Sequence, residues 1–338
     1  MGFTSRFGHS RSSLKRQPDG QVAGLVSVVI PCFNAARYVG RAIESALEQT
    51  YDRIEVIVID DGSTDGSLEI IRSYDSRIVS QTKTNGGACA ARNDGVALAH
   101  GEFIQFLDAD DFLMLDSVSN RIAAFTEDVG LVFGDRVHVD EADHVLSDYE
   151  SFHPQREWES TGWIRYALVT NIHTMEPLHR AGYVRQVGGF DESFPQSQEP
   201  DFHLRLLIAG CRFKYAPGTV GAFRQHASTG RISATPWWST DPERFIDITR
   251  YWLSLVSATN DVGMESEYRH AAAIILCYHA IQEASYGNAK LARRYHDEVL
   301  RFDPDYLPEG LSGRATSMVG LWSAIRIAGW LRRLGLGA

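Results

Sequence analysis

Residues 54–63 read Ile-Glu-Val-Ile-Val-Ile-Asp-Asp-Gly-Ser, and residues 103–111 read Phe-Ile-Gln-Phe-Leu-Asp-Ala-Asp-Asp. Each is an apolar run that stops abruptly at clustered acids. Runs of this length with little polar alternation are what a strand needs when both of its faces are covered, as in a parallel sheet. Leu25–Pro31 (LVSVVIP) is a run of the same kind upstream, and Arg77–Thr82 reads as a further strand. Between them the period changes. Val39, Ile43, Ala46 and Leu47 recur at i, i+4, i+7 and i+8, a short helix is expected over 65–73, and residues 87–99 are Ala-rich and helical. Strict alternation of strand and helix specifies an α/β fold, a mostly parallel sheet flanked by helices. Ligands of such sheets sit beyond the carboxyl ends of the strands. Asp60, Asp61, Asp108, Asp110 and Asp111 are therefore expected to face one crevice. Like charges packed so closely call for a cation between them, and a hard divalent ion that also grips substrate phosphates fits. Asp-Gly also suits a tight turn, and acids suit a helix N-terminus. Neither explains both acid sets at one sheet edge.

Composition narrows the classes. The chain has 338 residues, 44% apolar and 22% charged, which excludes collagen-like, coiled-coil and mainly disordered readings. Its formal net charge of −10 argues against a nucleic-acid partner. The four cysteines, Cys32, Cys89, Cys211 and Cys277, form no CxxC pair and fit a reducing compartment. Both ends are basic: Arg6, Arg11, Lys15 and Arg16 face only Asp19, while residues 310–338 carry Arg314, Arg326, Arg332 and Arg333 and no acid. The first 20 residues lack an apolar h-region and read as a disordered tail rather than a signal peptide. Arg6 stands where a myristoylation motif needs Ser or Thr. The nearest approach to a spanning segment, Met318–Leu336, is interrupted by three arginines. A cytoplasmic location is expected. Residues 310–338 either touch the anionic inner face of a membrane peripherally or form a helix packed on the chain's own domain.

Other phosphate-handling folds fit poorly. A Rossmann site needs GxGxxG after the first strand, where this chain has Pro31-Cys32-Phe33-Asn34, and there is no Walker A sequence. Haloacid-dehalogenase phosphatases need Thr or Val where Phe112 follows the acids. The second half reads differently. Residues 140–200 are loop-rich, with Trp158, Trp163, His173 and His179 interspersed, and 241–303 are largely helical. The two tryptophans could stack on sugar rings or pack in the core. Ala280–Pro304 faintly resembles one tetratricopeptide unit, and a single copy reads as a helical appendage.

Taken in order, VSVVIPCFNAARYV, EVIVIDDGSTDGS, NGGACAARNDGVALAHGEFIQFLDADD and VGGFDESF resemble the family 2 glycosyltransferases, inverting enzymes of the GT-A fold. The resemblance implies roles position by position. Pro31, Cys32 and Asn34 match the loop that lies against the nucleotide. Asp61, with Asp60 beside it, matches the acid that reads a uracil-type base, and Arg92 a base or diphosphate contact. Asp108-Ala109-Asp110 matches the DxD motif, with Asp110 on the ribose and Asp110 or Asp111 on the metal. Mn2+ or Mg2+ is the implied cofactor.

The family places its acceptor base in a Glu-Asp pair at the start of a helix. Here that stretch is Gln198-Glu199-Pro200-Asp201, in which Asp201 aligns with the Asp and Glu199 is the substitute for the displaced Glu. Such acids also suit a helix N-terminus, where Pro200 is tolerated. Phe223-Arg224-Gln225-His226 resembles a segment whose His completes the metal shell, and Arg224 and Arg231 are candidates for the diphosphate. The expected organisation is a basic tail over 1–24, a GT-A domain over 25–235 with nucleotide-sugar half 25–135 and acceptor half 136–235, a helical appendage over 236–309 and a basic-apolar helix over 310–338. The expected function is metal-dependent transfer from a UDP-sugar to a glycan, lipid-linked or other hydroxyl acceptor. The alternatives are a nucleotide-sugar-binding module without turnover and a sugar nucleotidyltransferase.

Overall fold

In the computed structural model the described residues are 21–150, 162–194, 196–226, 241–308 and 320–333. Their contacts divide the chain into two compact units, the first comprising Met1–Ser151, Thr174–Glu192 and Arg212–Gln225, the second Phe152–His173, Ser193–Cys211 and His226–Ala338.

The first unit carries a nine-stranded mixed sheet. Strand β1 (Val22–Cys32), helix α1 (Val39–Leu47), β2 (Ile54–Asp60), α2 (Ser67–Ser73), β3 (Val79–Thr82), α3 (Ala88–Leu98) and β4 (Gly101–Phe106) alternate as the apolar periods require. The order β3-β2-β1-β4 is parallel throughout. Val26, Val28, Val29 and Ile30 of β1 are all fully buried, because helices cover both faces. On one face α1 sets Val39, Ala42, Ile43 and Ala46 against Val28, Ile30 and Val56. On the other, Gly95 lets α3 approach so closely that a Cβ there would lie 2.3 Å from Val29 Cγ1.

The sheet continues through β5 (Phe112–Leu113), helix α4 (Ser117–Ala124), β6 (Leu131–Val139), β7 (Val145–Glu150), β8 (Pro177–Arg180), α6 (Ala181–Gln186) and β9 (Phe213–Arg224). Strand β8 runs antiparallel to β4 and to β6, while β9 runs parallel to β6. The carboxyl ends of β1, β2, β4, β6 and β9 therefore share one edge. Arg121 of α4, fully buried, crosses beneath this junction, donating to Ser117 Oγ at 2.6 Å and to the Glu176 carbonyl at 2.9 Å.

The second unit is helical: α5 (Trp163–Tyr166), α7 (Gln198–Ile208), α8 (Pro242–Ser257), α9 (Val262–Ser285), α10 (Ala289–Phe302) and α11 (Leu321–Arg333). Glu267 on α9 accepts from the backbone N–H of Ile164 at 2.6 Å and Arg165 at 3.0 Å, satisfying donors that the start of α5 leaves open. Buried Glu298 on α10 takes Arg250 of α8 and Arg301, each at 2.6 Å. Helix α7 clusters with the C-terminal helices in this unit. Helix α11 buries Leu321 and Ile325 and packs on α9, leaving Arg326 and Ile327 exposed. No helix among the described residues is long and apolar enough to cross a membrane. Trp158 and Arg231 lie outside the described residues.

Candidate active site

Strand β1 ends in a loop locked to the Asp-Asp-Gly-Ser turn after β2. Asn34, at φ +50°, receives the Thr64 N–H on its Oδ1 at 2.8 Å and donates its own N–H to Ser63 Oγ at 3.0 Å. Pro31 is buried in β1, in register with Ile59. The Cys32 thiol lies in the core against α1, and burial pushes its pKa up to about 12. Its backbone carbonyl accepts the Asp61 N–H at 2.8 Å. Phe33, which the sequence reading passes over, is 51% exposed beside Asn34. A large aromatic left open at a ligand-bearing edge is the signal that the periodicity of LVSVVIP hides.

The two acids after β2 differ. Asp61 is buried and both oxygens are taken, Oδ1 by the Gly86 N–H at 2.9 Å and Oδ2 by the Gly87 N–H at 2.8 Å. It ties the end of β2 to the start of α3. Asp60 is buried as well, and its Oδ1 receives the Ser63 N–H at 3.3 Å. Its Oδ2 has no hydrogen-bond partner among the described residues. A buried carboxylate oxygen without a donor is costly.

Two motifs that look separate in sequence meet here. Asn93 of α3 donates to the Phe190 carbonyl at 2.9 Å and accepts the Phe190 N–H at 2.8 Å. Gly189, at φ +74°, has no alternative, because a Cβ would stand 2.3 Å from Asn93 Oδ1. Phe190 in turn lies under Arg92, whose guanidinium is 5.0 Å from the ring centroid. Arg92, 3% exposed, donates to Asp108 Oδ1 at 2.7 Å.

The acids after β4 are arranged by Arg224 at the end of β9. Its N–H reaches Asp111 Oδ1 at 2.8 Å, its Nε the Asp110 carbonyl at 2.9 Å, and its guanidinium pairs with Asp143. Arg224 also stacks over Tyr38 at 4.9 Å. So employed, and 2% exposed, it shapes the acidic turn. Carboxylate oxygens of Asp108 and Asp111 lie within 4.8 Å of each other. Asp111 is buried, while Asp108 and Asp110 are half-buried.

The acids of the expected Glu-Asp pair sit in the first turn of α7, in the second unit. Asp201, 1% exposed, accepts from Trp252 Nε1 at 2.9 Å and from Arg205 Nε at 2.8 Å. Glu199 is half-buried. His226 begins the last segment of the second unit.

Comparison with known proteins fits this geometry. Residues 27–183 match the family described as Glycosyl transferase family 2. The chain is 36% identical over 266 residues to the Escherichia coli UDP-Glc:alpha-D-GlcNAc-diphosphoundecaprenol beta-1,3-glucosyltransferase WfaP, covering 76% of this chain and 93% of that protein. It spans a smaller part of other relatives. It covers 41% of an uncharacterized glycosyltransferase of Haemophilus influenzae, at 45% identity over 29% of this chain. It covers 20% of the Pasteurella multocida chondroitin synthase, at 32% identity over 56% of this chain. Among solved structures, Staphylococcus aureus TarS 1–349 in complex with UDP-GlcNAc superposes with a TM-score of 0.66 at 17% identity, over 92% of each chain, which establishes the GT-A fold. With that fold, and with a relative matched over nearly its whole length, this chain belongs to glycosyl transferase family 2.

Proposed function

We propose that the protein is an inverting, metal-dependent glycosyltransferase that moves a sugar from a UDP-sugar to a hydroxyl of a lipid-linked glycan. One observation carries the reading: the buried, unpartnered oxygen of Asp60 and the Asp108–Asp111 pair belong to the same sheet edge. A uracil ring offers a single imide N–H, which answers a single unpartnered carboxylate oxygen. Asp60, more than Asp61, is then the base reader, with Phe33 as the stacking face beside it. The donor and acceptor classes are carried over from WfaP, whose name specifies UDP-Glc and a diphosphoundecaprenol-linked GlcNAc.

Asp108 and Asp111 fit a hard oxygen-seeking cation, since two carboxylates this close repel unless a positive charge lies between them. Mg2+ or Mn2+ held there would absorb the charge that builds on the departing diphosphate. Arg92 holds Asp108 in place, and Arg224 holds Asp111 through its backbone N–H. In direct displacement the acceptor oxygen bonds to the anomeric carbon as the bond to the β-phosphate oxygen breaks, and that oxygen keeps the electron pair. The acceptor proton goes to a carboxylate. Asp201, which accepts from Trp252 and Arg205, and Glu199 in the same turn are the candidate carboxylates for it.

The test is a screen of nucleotide sugars for donor hydrolysis and for transfer to polyprenyl-diphosphate-linked acceptors, with Mg2+ and with Mn2+. UDP-sugars should be turned over and EDTA should stop the reaction. Turnover undiminished in Asp108→Asn or Asp111→Asn would overturn the metal assignment, and UDP binding without turnover under every condition would leave a binding module.

A further inference from the structure

We infer that Asp143, in the turn of the β6–β7 hairpin, is a positioning residue for the acids that follow β4: it anchors Arg224, which holds the Asp110-Asp111 turn. The inference deepens the metal assignment above and rests on it. Residues 140–144 close the hairpin. Asp140 Oδ1 accepts the Ala142 N–H at 2.8 Å and the His144 N–H at 2.9 Å, and Asp143 is left at φ +67°. Glycine adopts that backbone at the least cost. The aspartate found there gives its carboxylate to two arginines. Oδ1 pairs with the Arg224 guanidinium, and Oδ2 lies 3.6 Å from Arg41 Nε of α1. The hairpin adds a backbone contact, since Arg224 Nη1 also donates to the Asp140 carbonyl at 3.2 Å.

Those two cations share one aromatic ring. Arg41 lies 4.6 Å and Arg224 5.6 Å from the centroid of Phe112, the residue directly after Asp111. The Arg224 side chain is 3% exposed, so its charge is held away from water and the Asp143 carboxylate balances it. Without that carboxylate the two guanidiniums repel, and the buried one loses its ion-pair partner. A displaced Arg224 carries with it the two bonds it makes to the acidic turn. Its Nε donates to the Asp110 carbonyl at 2.9 Å and its N–H to Asp111 Oδ1 at 2.8 Å. A residue that holds a metal ligand from behind changes affinity for the ion without touching it, by about 10- to 100-fold.

The experiment compares wild type, Asp143→Asn and Asp143→Gly in the full chain. Asparagine and glycine both accept a positive φ, so the turn keeps its backbone while the charge goes. Calorimetric titration with Mn2+ in the presence of UDP should show affinity for the ion about tenfold or more weaker in both variants. Affinity for UDP in EDTA should stay within about twofold of wild type, because Asp143 acts through the metal-binding acids. The kcat should recover at saturating Mn2+, since concentration overcomes weaker binding. Amide hydrogen exchange without metal supplies a readout independent of turnover. Peptides over 108–114 should exchange faster in both variants, while those of β2 and α3 do not change. Wild-type affinity for Mn2+ in either variant overturns the inference, and so does an equal loss of UDP affinity with and without the ion. Unchanged exchange over 108–114 overturns it too. A wild-type chain that binds no Mn2+ defeats the metal assignment instead, and the exchange result then decides whether Asp143 holds the acidic turn.

Discussion

Arg92 and Asp108 form a largely buried ion pair, Nη2 to Oδ1 at 2.7 Å, between the second turn of α3 and the first acid after β4. The arginine side chain is 4% exposed and the carboxylate 25% exposed, so the cation lies behind the acid and the acid faces the crevice. The Phe190 ring stacked against the guanidinium prevents it from swinging outward. Arg92 therefore braces Asp108 from behind.

Arg92→Met should weaken UDP binding in the presence of Mn2+ by about 10- to 100-fold, the worth of a charge-assisted bond that orients a ligand. Binding of UDP in EDTA should change much less. Calorimetry with and without the metal separates the two, and an equal loss in both would mean that Arg92 touches the nucleotide itself.

Asp60 and Asp61 are neighbours in sequence with opposite employment. Asp61→Asn surrenders an ionised acceptor for the Gly86 and Gly87 amides and should lower stability by about 2 kcal/mol. Asp60→Asn removes the charge from an unpartnered buried oxygen, so stability should hold or rise while affinity for UDP falls. Thermal melts paired with UDP titrations check both. A large stability loss in Asp60→Asn with UDP affinity intact would reverse the assignment.

Much of the first unit is readable from local pattern alone. The run from Ile54 to Ile59 specifies β2, and Val39 to Leu47 specifies α1, because burial on two faces and on one stripe leave different periods. The placement of the acids at one edge follows, since parallel strands must finish on the same side. What stays hidden is how donors are allotted. Nothing in Asp60-Asp61 announces that one is spent on the amides of Gly86 and Gly87, which come from a loop about 25 positions away. Arg92 and Arg224 look like phosphate ligands in sequence, and nothing local announces that each also holds an acid, 16 residues distant for one and 113 for the other. The fate of Asp201 depends likewise on a tryptophan 51 residues later.

The second unit has a titration of its own. His279 of α9 is buried, with the Phe245 ring edge-on at 4.9 Å and the Tyr295 ring at 5.8 Å, and burial pushes its pKa down from 6.5 to about 4. Above pH 6.5 the imidazole is neutral in folded and unfolded chains alike, so it adds no pH dependence. As pH falls from 6.5 towards 4, the unfolded chain binds a proton that the folded chain refuses, and stability drops through that window. The gap corresponds to at most about 3 kcal/mol. Urea melts of wild type and His279→Gln between pH 7.5 and 4.5 measure it, monitored by tryptophan fluorescence. The carboxylates contribute equally to both proteins, so the difference curve isolates the imidazole. The variant should lose less stability on acidification, and parallel curves across the window would show that His279 takes up its proton as readily in the folded unit as in water.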